Sequence, residues 1–117
     1  MGLPLTTGLS FCFVIPGLPC SGRTLETRSL GGSETAGIQL AEALARRGHR
    51  VVAYSNLDSP PGIVHGVQWR PIQDTAIRLL VDRSDVLVGQ RDFGIFARPT
   101  ESRLRWLWCH DLALKRY

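Results

Sequence analysis

A few residues in the 117-residue chain have the types and spacing for chemistry on a polar ligand. Gly31 and Gly32 lack side chains, so a ligand can approach their backbone N–H groups closely. Ser33 directly after them opens a predicted helix, whose positive dipole end suits phosphate. The plain alternative is that the two glycines only make the turn into that helix. Glu34 lies in the first helical turn, where an acid complements the dipole, and that role explains it without a ligand. Arg23 and Arg28 precede the turn and are placed either for phosphate contacts or simply for solvent. His110-Asp111 sets an imidazole beside an acid, able to hydrogen-bond a hydroxyl or share a proton. A structural histidine satisfied by backbone is its alternative.

The elements that position these residues read as α/β. Ser10–Ile15 is a short continuous apolar run ended by Pro16-Gly17, the pattern of a strand buried on both faces. A helix follows from Ser33 to about Arg47, with Ile38, Ala41, Leu44 and Ala45 at helical spacing and Gly48 as its stop. Arg50–Ser55 is the next strand, and Asn56–Gly62 a turn. Residues 63–69 read as a short strand or hairpin and a candidate sheet edge, and Asp74 caps a helix through Arg83 with Ile77, Leu80 and Val81 on one side. Asp85–Gly89 is a further buried strand, Phe93–Ala97 a helical turn closed by Pro99, and Leu104–Cys109 an alternating strand whose Trp106 and Trp108 are expected in the core.

Strands alternating with helices predict right-handed crossovers and a Rossmann-like, doubly wound, mainly parallel sheet. Ligands of such sheets lie beyond the carboxyl ends of the strands. That rule places Gly31, Gly32, Ser33, Ser55, Asn56, Gln90, Arg91, His110 and Asp111 on one rim. The loop Pro16–Gly32 exceeds the usual ~2 to 6 residues of such connections, and long ordered loops are usually functional.

Composition narrows the classes. At 44% hydrophobic and 21% charged residues the chain reads as one ordinary globular core. The net charge of +4 favours anionic ligands weakly, and the arginines are scattered instead of clustered, so no nucleic-acid partner is expected. Cys12, Cys20 and Cys109 have neither metal spacing nor an even count, so no disulfide framework and no metal site are expected, and the cytoplasm is the default compartment. No run reaches the ~18 apolar residues of a membrane helix. Met1-Gly2 with Thr6 matches a myristoylation pattern only formally, which leaves peripheral membrane association open.

With the stretch Leu30–Val51 and the later Trp108-Cys-His110-Asp111-Leu in view, the chain resembles the N-terminal domain of family 4 glycosyltransferases, over about residues 9 to 114. Gly31, Gly32 and Glu34 match that family's turn after the first strand, and His110 with Asp111 its later His-acid pair. The resemblance implies a GT-B enzyme that moves a hexose, with retention, from a nucleotide-diphosphate sugar to an acceptor hydroxyl, without a cofactor or an obligatory metal. It implies that Gly31 and Gly32 approach the donor diphosphate, that His110 positions the transferred sugar, and that the loop with Arg23 and Arg28 faces the acceptor. The nucleotide-sugar domain of that family has no counterpart here. Residues 1–117 are therefore expected to form a single, incomplete acceptor-side domain, weak or inactive alone unless a separate chain supplies the rest. Two rivals stand beside this reading. An NAD(P)-type module would want Gly-x-Gly-x-x-Gly directly after the first strand and an acid ending the second, where the chain has Ser55-Asn56. A non-catalytic interaction module would pair an open sheet edge with another chain.

Overall fold

A computed structural model describes residues 8–17, 19–28, 30, 32–81, 83–90 and 102–108. The fold is α/β, with a six-stranded, mostly parallel mixed sheet. Strand β1 (Ser10–Ile15) lies at its centre between β2 (Arg50–Ser55) and β5 (Ser84–Gln90), parallel to both. Strand β4 (Val67–Pro71) flanks β2 in parallel, and β6 (Ser102–Trp108) flanks β5 in parallel. The short β3 (Gly62–Val64) is the antiparallel edge, giving the order β3-β4-β2-β1-β5-β6. The order is compatible with a Rossmann-like fold.

The apolar run of β1 is explained by cover on both faces. Phe13 and Ile15 point to one side, into a cluster with Ile38 and Ala41 of α2 (Gly32–Arg46). Cys12 and Val14 point to the other, towards Leu79 of α3 (Thr75–Val81). A four-residue helix, α1 (Thr24–Thr27), forms inside the long loop after β1. Helix α2 closes as the sequence predicts: Gly48 has φ 91°, its N–H bonds Ala45 O at 3.1 Å, and the His49 N–H bonds Leu44 O at 3.2 Å. These are the two hydrogen bonds of a Schellman stop, for which glycine supplies the left-handed residue. His65 and Gly66, at φ 52° and 82°, join β3 to β4 as a two-residue hairpin turn, since positive φ at both central positions matches the twist of the strands.

Two sequence expectations give way. Asp74 does not start the second helix as a side-chain cap. It lies in a 3₁₀ turn (Ile72–Asp74), and Thr75 Oγ1 donates to Ile72 O at 2.8 Å. That turn changes the phase of the short helix, so Ile77 is 70% exposed while Leu79 is 5% exposed. Trp106 is not a core residue: it is 50% exposed and Leu104 59%, because β6 is an edge strand that no described helix covers. The side chain of Trp108 and the expected turn at residues 93–97 lie outside the described residues.

Candidate functional site

Chain order along the parallel strands runs from β1 outward through β2 to β4, then returns to the other side of β1 for β5 and β6. The order therefore reverses between β1 and β5, and it is beyond the carboxyl ends of strands at such a reversal that ligands of open α/β sheets lie. Three segments converge there. Strand β1 leaves through Pro16 and Gly17, β5 ends on Gln90, and α2 begins at Gly32.

Gln90 is 1% exposed and reaches under the first turn of α2. Its Nε2 donates to Ser33 O, while its Oε1 is buried without a hydrogen-bond partner. A side chain at Gly37 would run into that Oε1 and would come within 3.3 Å of Ile15 Cδ1, so a glycine is needed for the helix to sit this close to β5. Glu34 is 8% exposed and accepts from Ser33 Oγ at 3.2 Å. A Cβ built on Gly17, at φ 120°, would stand 2.6 Å from Glu34 Oε2, so the carboxylate lies directly over the chain leaving β1. Gly32 is different: among the described residues nothing comes within 4 Å of a Cβ there. The first turn of α2 thus has an open side at Gly32, where helix-start N–H groups lack intrahelical acceptors. On its inner side stand two acceptors, the Glu34 carboxylate and Gln90 Oε1. The N–H groups at the open side suit an anionic or hydroxyl oxygen, while the two buried acceptors brace the turn from beneath.

The long loop folds over the ends of β1 and β2. The Cys20 N–H bonds Asn56 O at 2.9 Å, Ser55 Oγ donates to Cys20 O at 2.7 Å, and Asn56 Nδ2 donates to Gly17 O at 2.8 Å. Asp58 is its anchor. The carboxylate accepts from Thr24 Oγ1 at 2.7 Å and from Arg28 Nη2 at 3.0 Å, and Arg28 also donates to Pro19 O at 2.6 Å. Partial burial pushes the Asp58 carboxyl up, but hydrogen bonds from Thr24, Ser21 and Arg28 outweigh it and hold the group below the usual carboxylate range. Glu26 pairs with His65 Nε2 at 3.0 Å, tying α1 to the hairpin turn, and its carboxyl is lowered chiefly by that hydrogen bond. Burial pushes the Cys20 thiol up to about 11, so it is an inert packing group.

Of the residues singled out from sequence, the fold brings Gly32 and Glu34 together with Gln90 at the switch point. Arg28 is engaged by Asp58 as a loop brace. Arg23 is 66% exposed and meets Glu26 at 3.4 Å. Gly31, Arg91, His110 and Asp111 lie outside the described residues, although β6 brings the chain to this rim, with Trp108 in register with Gln90. Sequence reasoning put Gln90 on the rim without giving it a contact and passed over the close packing at Gly37. The available signals were an amide ending the apolar run Val86–Gly89 and a glycine inside a helix, which costs ~1 kcal/mol relative to alanine and so marks close packing. The Arg28–Asp58 pair, 30 residues apart, left no local signal. Among the described residues no helix is long and apolar enough to cross a membrane.

Compared with protein-family models, with curated proteins and with solved structures, the chain matches none.

Proposed function

We propose that this chain is the acceptor-side part of a GT-B glycosyltransferase, which transfers a hexose with retention from a nucleotide-diphosphate sugar to an acceptor hydroxyl. In this reading Gly31 and Gly32 admit the donor diphosphate to the start of α2. His110 and Asp111 act on the transferred sugar, and the loop carrying Arg23 and Arg28 faces the acceptor, with Arg28 shaping that loop through Asp58. Most nucleotide contacts would come from a second domain, so the affinity expected of these residues alone is low. The observation that carries the reading is the asymmetric first turn of α2, open at Gly32 and backed by buried Glu34 and Gln90 at the point where strand order reverses.

A dinucleotide-binding module is less well supported. Such a module wants an acid ending the second strand to take the ribose hydroxyls. Here Ser55 and Asn56 end β2, and both are spent on holding the long loop over that position. Calorimetric titration of the chain with a UDP-sugar, a GDP-sugar and NAD separates the two: binding of a nucleotide sugar without NAD is expected, and tight binding of NAD overturns the proposal.

A further inference from the structure

We infer that the amino ends of the strands form a seat for an anionic phospholipid surface. Helix α2 hands over to β2 there, and the short stretch from Arg46 to Arg50 carries three arginines. Arg46, Arg47 and Arg50 are all exposed, and among the described residues none of them meets an acidic side chain. The residues that lead into β1 lie against this stretch. Leu9 donates its N–H to His49 Nδ1 at 3.0 Å, and its carbonyl accepts from the Arg50 N–H at 2.9 Å. The Phe11 ring meets the His49 ring edge-on, with centroids 5.2 Å apart. Leu9 is thereby held beside the arginines while 44% exposed.

A plainer role covers only part of this cluster. Cations near the last turn complement the negative end of a helix dipole, which accounts for Arg46 and its neighbour Arg47. It does not account for Arg50, the first residue of β2, or for an apolar side chain set among them. Glu42 stands one helical turn before Arg46, and Asp85, at the start of β5, is taken by the Ser10 N–H at 2.8 Å and by Arg103 at 3.4 Å. The balance of the cluster is therefore cationic. Guanidinium forks match the oxygens of phosphate headgroups, an anionic leaflet attracts basic side chains, and a protruding leucine gains from contact with the acyl boundary. A nucleic-acid strand would want the basic groups spread along a face with aromatic rings between them. Here they crowd one end of the sheet, opposite the start of α2, so the seat is independent of the site at Gly32.

The test is co-sedimentation of the chain with vesicles of phosphatidylcholine alone and of phosphatidylcholine mixed with phosphatidylglycerol, at low and at high salt. Binding to the mixed vesicles only, weakened by salt, is expected. Arg46→Gln, Arg47→Gln and Arg50→Gln are each expected to weaken it about fivefold, the scale of one basic residue at an anionic surface, with unchanged circular dichroism. Leu9→Ser is expected to weaken binding at both salt concentrations alike, because the contact it removes is uncharged. Arg23→Gln removes the same charge from the loop at the opposite end of the strands and is expected to leave binding unchanged. A short DNA duplex serves as the rival polyanion. Absence of binding to the mixed vesicles, equal binding to both kinds of vesicle, an equal loss with Arg23→Gln, or tighter binding of the duplex than of the mixed vesicles overturns the inference.

Discussion

Replacing Gly37 by alanine tests how the start of α2 packs against β1 and β5. Alanine in a helix interior is favoured over glycine by ~1 kcal/mol, so helix propensity alone predicts a more stable protein. The structure predicts the reverse. The added methyl would meet Gln90 Oε1, would lie 3.1 Å from Gln90 Cδ, and would crowd Ile15 Cδ1 at 3.3 Å. Gln90 and Ile15 are 1% and 0% exposed, so neither has open space to retreat into. Overpacking of this kind costs ~1 to 3 kcal/mol, and displacing Gln90 from Ser33 O forfeits ~1 kcal/mol more. Set against the propensity gain, the net expectation for Gly37→Ala is a loss of about 1 to 3 kcal/mol. Urea denaturation followed by circular dichroism measures it. The decisive control is the same substitution in a Gln90→Ala background, where most of the clash is gone and the alanine should be neutral or stabilising by up to ~1 kcal/mol. A stabilising effect of Gly37→Ala in the wild-type background, or the same cost in both backgrounds, would refute the packing of α2 on Gln90.

Two further expectations concern the loop. The folded-state pKa of Asp58 lies below its unfolded value, so the unfolded chain binds the proton more tightly. The stability Asp58 contributes is therefore present above the ordinary aspartate range and is lost as pH falls through the folded value. Asp58→Asn should accordingly be less stable than wild type near neutral pH, with the gap closing in acid, as thermal melts across pH 3 to 7 would read. Cys20, buried and with its thiol near 11, should resist a thiol-specific disulfide reagent at about pH 8 until the chain unfolds, with mass mapping to separate it from the other cysteines.

How much was legible follows from how local each signal is. The six residues of β1 and of β2 could be read from the chain because a strand covered on both faces must be apolar throughout, and the end of α2 because Gly48 completes its stop. Helix α3 was harder, since seven residues make fewer than two turns, too few for periodicity to choose between Ile77 and Leu79 once a 3₁₀ turn shifts the phase. The alternation of β6 identified a strand but could not say that the strand lies at the sheet edge, which is what leaves Trp106 half exposed. At the candidate site, Gly32 and Glu34 are adjacent in sequence and were found. Gln90 joins them only because β5 returns to the far side of β1, a fact of topology that no local window contains. Arg28 could be read from sequence either for phosphate or for solvent, and its brace to Asp58, far along the chain, was not legible because the partner folds back from a distant segment.

The central proposal is that the open side of α2 at Gly32, backed by Gln90, receives a nucleotide sugar. The most direct measurement is the amide NMR spectrum of the chain during addition of UDP- and GDP-sugars, with Gly32→Leu as the comparison. The side chain in that variant enters open space and should leave the fold intact while filling the approach to α2. The account predicts shifts of the Gly32, Ser33 and Glu34 backbone amides and of the Gln90 side-chain amide with one of the two nucleotide sugars, abolished in Gly32→Leu. No shift at these four groups with either sugar, or the same shifts persisting in Gly32→Leu, would contradict it.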